Sequence, residues 1–308
     1  MRAIAITEYG GPERLTVTEL PEPPVGPDVV LVRVRAAGVN PVDWKIREGY
    51  LAGAFPAHFP LVPGWDLAGV VERVGPAVTG FAVGDEVIGY ARRDHIQYGT
   101  YAELVPAPER ALADKPANAS WAEAGGLPLA GLTAYQALRA VRVGAGDTVL
   151  VHAAAGGVGH LAVQLARVLG ADRVIGTGSD GSHDFIRSLG AEPVNYGDGL
   201  AEAVRVLAPD GVDAVLDLVG GAALPVSAEL VTRPHRLVSV VDADQVNRLG
   251  GVYHFVRPST PDLTTLAGLV DAGRLRVHVE RTFPLAEAAE AQRVVQVGHV
   301  RGKVVLEI

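Results

Sequence analysis

The run TVLVHAAAGGVGHLAVQLARVLG at residues 148–170 constrains the fold of this chain more than any other segment. A strand, Val149 to His152, enters a glycine-rich turn, and a helix is expected to leave it at about Gly157. Gly156 lets the main chain approach a pyrophosphate and Gly159 lets the helix pack against the sheet. The free N–H groups at the helix start, over Ala155, Gly157 and Val158, then face phosphate oxygens. Ala154 stands where such turns usually carry their first glycine, which is tolerable only if the local backbone stays in an allowed region. A purely structural strand-to-helix turn in another α/β protein is the alternative.

The segments around this turn alternate in kind. From Met1 to Asn118 the chain shows short β-branched runs broken by Gly and Pro, among them DVVLVRVRAAGV, WDLAGVVERVG and GDEVIGYARR, which predict a β-rich domain over 1–118. After PANAS, WAEAGGLPLAGLTAYQALRAV predicts a long helix. Strands at DRVIGTG, EPVNY, GVDAVLDLV, HRLVSVV and GVYHFV then alternate with helices, so a doubly wound parallel sheet is expected over 119–270. The segment 271–308 reads strand, helix, strand and either completes the second domain or rejoins the first.

Composition narrows the function classes. With 27 basic and 35 acidic residues the net charge is −8, and no Lys/Arg run tracks a phosphate backbone, so a nucleic-acid partner is not expected. No stretch spans a bilayer and no apolar opening segment develops, which predicts a cytoplasmic protein with no membrane partner. Cysteine is absent, excluding disulfides, thiolate catalysis and thiolate-ligated metals.

The second strand of the parallel sheet decides between dinucleotides. It ends in Gly178 and Ser179, without the carboxylate that would grip the ribose hydroxyls of NAD and repel a 2′-phosphate. Ser179 supplies a donor, with His183 and Arg187 nearby, which favours NADP(H); Asp180 keeps NAD open. Tyr196 is placed to flank the adenosine or simply to pack.

Taken together, AAGVNPVDWKIREG, FPLVPGWDLAGVVERVG, FAVGDEVIG, YGTYAELV, LPLAGLTAYQAL, VLVHAAAGGVG and RGKVVL run in the order of one family. The chain resembles the zinc-free quinone oxidoreductase-like branch of the medium-chain dehydrogenase/reductase superfamily. The resemblance implies a GroES-like catalytic domain followed by a Rossmann domain, a C-terminal tail rejoining the catalytic domain, NADP(H) in the cleft between domains, and commonly a homodimer. Zinc-dependent relatives carry ligands in segments where this chain has Asn40, Trp65, Asp66 and Leu129. Tryptophan and leucine have no donor for zinc, and asparagine is a poor one.

Without zinc, the chemistry best served is hydride transfer from NADPH to a quinone or an α,β-unsaturated carbonyl, which needs orientation and stabilisation of developing oxygen charge. Asn40 is a candidate to hydrogen-bond the substrate carbonyl and Asp43 to fix its loop. Asp66 is a second candidate loop anchor, and Trp65 and Trp44 either wall an apolar site or simply pack in the core. His95 and Tyr98 are candidate proton donors, the alternative being solvated loop residues with water supplying the proton. The resemblance places Thr133, Phe255 and Val256 near the nicotinamide, with Tyr253 and His254 at the substrate side or a subunit contact. Arg301 and Lys303 are candidate phosphate partners or surface charges. The proline-bounded GAFPAHFPLVPG reads as a loop at the entrance. A zinc-independent alcohol or carbonyl reductase, and a non-catalytic NADP(H)-binding sensor or scaffold, are the rival functions.

Overall fold

The computed structural model describes residues 1–308, which divide into two units: Met1–Leu129 with Pro258–Gly273 and Val277–Ile308, and Ala130–Arg257 with Arg274–Arg276. The change of unit falls later than residue 118 because the first part of the expected long helix packs on the first unit's sheet. That helix, Trp121–Gly126, starts from a capping box between Ser120 and Glu123. It lies so close to the strand Val29–Val39 that a Cβ on Gly125 would come within 2.9 Å of the Ala36 side chain. The helix breaks before Pro128, whose ring nitrogen has no proton to donate, and a second helix runs Pro128–Ala140. Pro258–Gly273 also belongs to the first unit and not, as expected, to the parallel-sheet domain. Its helix Thr260–Asp271 is tied to Asn118, whose backbone N–H and side-chain amide both donate to Asp271.

The first unit is built on a seven-stranded sheet centred on Val29–Val39. At eleven residues this strand is long enough to pair with three others: Asp66–Val74 along most of its length, Leu104–Pro108 over its first half, and Lys303–Glu307 over its last four residues. Val30, Val32 and Val34 join Leu67, Val71, Val105, Phe283 and Leu306 in one apolar core. The register pairs Val304 with Val39, so the end of the chain is delivered beside Asn40. GAFPAHFPLVPG is not all loop: Ala57–Val62 forms a strand paired with Ile96–Tyr98.

The second unit is a six-stranded, all-parallel sheet in the order Glu192–Asn195, Arg173–Gly178, Thr148–Val151, Ala214–Asp217, Leu237–Ser239, Val252–Tyr253. Val149, Leu150, Val215 and Leu216 are fully buried, as strands covered on both faces must be. Chain order reverses between the central strands Thr148–Val151 and Ala214–Asp217. Open α/β sheets bind ligands outside the carboxyl ends of the strands at such a switch point. The last strand is shorter than VYHFV suggests; after Tyr253 only the His254 N–H continues the ladder, donating to the Ser239 carbonyl.

Candidate active site

At the switch point the Thr148–Val151 strand ends in His152 and the chain turns sharply. The left-handed residue of the turn is Ala153, at φ 47°, and not Ala154. Ala154 is fully buried, and room for its Cβ is made across the sheet by Gly176, where a side chain would meet that Cβ at 2.7 Å. The missing first glycine is thus compensated by a glycine in the neighbouring strand. The helix starts at Gly159, two residues later than expected. A Cβ on Gly159 would lie 2.1 Å from the Ala153 carbonyl oxygen, so only glycine permits this approach. The Gly156 N–H closes onto the Ala153 carbonyl, while the N–H groups of Gly157 and Val158 take no backbone acceptor. With Ala155 they form a half-open cradle at a helix start, which fits an anionic diphosphate.

Beside this cradle the carboxyl ends of the strands are fixed by buried polar side chains that sequence reasoning missed. Thr177 accepts the Ala153 N–H at 3.0 Å, and the His152 ring bonds Ser227 at 2.7 Å. Burial lowers the His152 pKa, keeping the ring neutral. Asp217 accepts the N–H groups of Val219 and Gly220 and the Ser239 hydroxyl, the last at 2.6 Å. Gln136 holds the segment after the last strand from both sides: its amide donates to the Arg257 carbonyl at 3.0 Å and accepts the Arg257 N–H at 3.1 Å. Phe255, half exposed, and Val256 lie on this clamped segment, and Thr133 is buried one turn before Gln136 on the same helix.

The second strand ends as its sequence suggested, in Gly178 and an exposed Ser179. The Ser179 hydroxyl lies 3.2 Å from that of Ser182. His183 follows at the start of a short helix, whereas Arg187 turns to Asp184 at 2.7 Å. The Asp180 carboxylate accepts the Asn195 amide at 2.8 Å, and Tyr196 is exposed beyond it.

In the first unit, Asn40, Asp43, Asp66, Tyr101 and Lys303 meet in a buried polar cluster. Asn40 precedes the helix Pro41–Arg47, and its N–H is accepted by Asp43 at 2.8 Å; the same carboxylate oxygen accepts the Tyr101 hydroxyl at 2.9 Å. The Asn40 amide donates to Asp66 at 2.9 Å, and its oxygen accepts from the Lys303 ammonium at 2.5 Å. The other Asp66 oxygen accepts the Leu129 N–H at 2.7 Å. Two expectations are corrected here. The Asn40 amide is engaged at both ends and is not available to a substrate carbonyl. Lys303 is a buried ammonium 3.8 Å from Asp66, drawn in by its strand register, and not a phosphate partner. Burial raises the carboxyl pKa of Asp43 to about 7 and of Asp66 to about 6, and lowers that of the Lys303 ammonium.

Trp65 packs against Phe55 and Tyr90, with ring centroids 5.9 and 6.0 Å away. Trp44 meets Tyr50 edge-on. His95 lies 5.8 Å from the His58 ring and Tyr98 is half-buried on the strand Ile96–Tyr98; neither joins the Asn40 cluster. Arg301 pairs with Glu280 at 3.5 Å on the surface. No three His, Asp or Glu side chains converge as a metal set requires.

Residues 26–117 match the alcohol dehydrogenase GroES-like domain, and residues 169–306 match the zinc-binding dehydrogenase family. The chain is similar to the chloroplastic NADPH-dependent alkenal/one oxidoreductase of Arabidopsis thaliana, with 36% identity over 99% of this chain and 79% of the relative. It is similar to the chloroplastic quinone-oxidoreductase homolog of Spinacia oleracea, with 32% identity over 100% of this chain and 98% of the relative. The solved quinone oxidoreductase of Coxiella burnetii has the same fold, with a TM-score of 0.89 and 36% identity, over 100% of this chain and 99% of that one. The organellar names of the plant relatives overturn the cytoplasmic location expected above, which rested on the lack of an apolar opening segment and of a membrane-spanning stretch. No helix is long and apolar enough to cross a membrane. A parallel 3-2-1-4-5-6 sheet with a glycine cradle, a GroES-like unit whose zinc positions hold Asn40, Trp65, Asp66 and Leu129, and relatives matched end to end make this chain a member of the medium-chain dehydrogenase/reductase superfamily, in its zinc-free quinone oxidoreductase-like branch.

Proposed function

We propose that this protein transfers hydride from NADPH to a small quinone or α,β-unsaturated carbonyl compound without a catalytic metal. The observation that carries the reading is the cradle at Ala155–Gly159, joined to a second strand that ends without a carboxylate facing a ribose. Asp180 is held by Asn195 and Asp184 by Arg187, which leaves Ser179, Ser182 and His183 as donors for a 2′-phosphate. The alkenal/one and quinone specificities in the relatives' names support the acceptor class.

NADPH, when bound, supplies the hydride; the protein's part is placement. Ala155, Gly157 and Val158 would hold the diphosphate, and Gln136 fixes the segment of Phe255 and Val256, whose backbone would meet the nicotinamide amide. Thr133 adds a hydroxyl from the same helix. In the other unit the Lys303–Asn40–Asp66 chain locks the loop that precedes Pro41, while Trp65 is buried against Phe55 and Tyr90 and packs the segment before Asp66. The open edge of the strand Val252–Tyr253 supports a homodimer formed through this sheet, checked by light scattering in solution.

The test is anaerobic oxidation of NADPH with benzoquinone, an unsaturated aldehyde and a saturated ketone in parallel, and with NADH as a control. Rapid NADPH use with the first two acceptors, unchanged by a chelator, is expected. Turnover of the ketone alone would establish the carbonyl-reductase rival, preference for NADH would refute the role given to Gly178 and Ser179, and NADPH binding without any turnover would favour a sensor.

A further inference from the structure

We propose that the acceptor reduced by this protein carries an anionic group, a carboxylate or phosphate, bound by Arg93 and Arg110 in a cavity of the first unit. The inference rests on the hydride-transfer reading above and names the substrate class within it. The cavity measures about 430 Å³ and is bordered by Asp28, Arg92, Arg93, His95, Arg110 and Pro258, among others.

Two of its arginines, Arg93 and Arg110, have no carboxylate partner. The Arg93 guanidinium donates to the Pro106 carbonyl, but its Nε is buried without a partner. Burial pulls the Arg93 pKa below its usual value, and the nearby positive charge of Arg110 adds to the pull. Neither arginine is within ion-pair distance of a carboxylate. Of the two acids at the rim, Asp94 is 99% exposed and 3.8 Å from Arg92, and Asp28 is exposed and pairs with neither arginine. His95 is pushed toward its neutral form, first by burial and then by Arg93, so it adds a hydrogen-bonding ring and not a further full charge. Two like charges facing one space are costly, and one anion between them relieves that cost. Guanidinium groups suit this, because their forked N–H groups match carboxylate and phosphate oxygens.

The cavity borders a buried aromatic cluster. Arg92 lines it, and the Arg92 guanidinium lies 5.6 Å from the centre of the Phe55 ring, which in turn packs on Trp65. An acceptor seated in this cavity would place its anionic group between Arg93 and Arg110, with Arg92 between it and the aromatic cluster.

The experiment compares kcat/KM for an unsaturated aldehyde bearing a terminal carboxylate with that for its methyl ester, using NADPH. The carboxylate is expected to be favoured about tenfold, the scale of one charge-assisted hydrogen-bonded contact, with the preference shrinking at high salt. The paired variant Arg93→Gln/Arg110→Gln is expected to bring the ratio to about one. A ratio of one in the unaltered protein overturns the inference, and so does a salt-independent ratio, which needs no variant to fold. If neither aldehyde reacts while benzoquinone does, the cavity does not serve the acceptor and the hydride-transfer reading stands. If no acceptor oxidises NADPH, that reading falls and takes this one with it. Competitive inhibition by inorganic phosphate of the carboxylate substrate alone would show that the same arginines take a phosphate headgroup.

Discussion

Replacing Gly159 with alanine is expected to weaken NADPH binding by about a hundredfold and to destabilise the parallel-sheet unit. The added methyl would stand 2.1 Å from the Ala153 carbonyl oxygen and 2.8 Å from the Ala153 carbonyl carbon and the Ala154 Cα. All three atoms are backbone, so no side chain can turn aside; the helix must move off the strand end. Overpacking of this kind costs roughly 1–3 kcal/mol. The same shift would move the Gly157 and Val158 N–H groups proposed to receive the diphosphate, and each tenfold of affinity is about 1.4 kcal/mol. Gly156→Ala is the informative partner. Its methyl would meet only the Ala153 oxygen, at 3.3 Å, so the fold should tolerate it while the cradle becomes more crowded. Titration of NADPH by fluorescence and thermal unfolding of both variants check this. Wild-type affinity and melting in Gly159→Ala would show that the helix start does not hold the cofactor.

Lys303→Met is expected to cost about 3–5 kcal/mol of stability above neutral pH, because removing one partner leaves buried carboxylates without their cation. Asp43 and Asp66 are both fully buried and Lys303 is the cation bonded into their cluster. The sign of the pH dependence follows from the carboxyl pKa values, raised to about 7 and about 6. A carboxyl with a raised folded pKa binds its proton more tightly folded than unfolded. That contribution is fully present below about pH 4 and is lost as pH rises through about 6 to 7. Protonated carboxyls need no ammonium, so the deficit of Lys303→Met should be small near pH 5 and large near pH 8. Urea unfolding at the two values measures it. An equal deficit at both would mean that Lys303 acts by packing and not by charge. Lys303→Arg should not restore the wild type, since the larger head would have to fit a fully enclosed site beside Asn40.

Much of the parallel-sheet unit was legible in the sequence, because strands buried on both faces are apolar throughout and the glycine turn has a local cause in every residue. What the local sequence does not carry is why alanine is tolerated at 154: the positive φ falls on Ala153, and the volume for the Ala154 Cβ comes from Gly176, in another strand. In the first unit the helix interrupted at Pro128 was read as continuous, although the proline was in plain view. The buried cluster was less accessible. Asn40 and Asp43 were singled out, but a lysine near the end of a chain reads as surface charge until the pairing of Val304 with Val39 is known. Gln136 looked like one polar residue on an alanine-rich helix. Arg93 and Arg110 lie on separate segments, and their shared cavity is a product of sheet closure that no local pattern encodes.

The place of Lys303 in the last strand also sets an order of assembly. Asn40, Asp43 and Asp66 leave the ribosome early, whereas the ammonium that accompanies them emerges only after the whole segment 130–257 has been made. The parallel-sheet unit, nearly continuous in sequence, can finish while the unit begun before it still waits with an open sheet position and unmatched acids. Protease protection on stalled nascent chains would then appear in residues 130–257 ahead of residues 1–129, and the reverse order would exclude this sequence of events. Translation, in this protein, closes its oldest residues last.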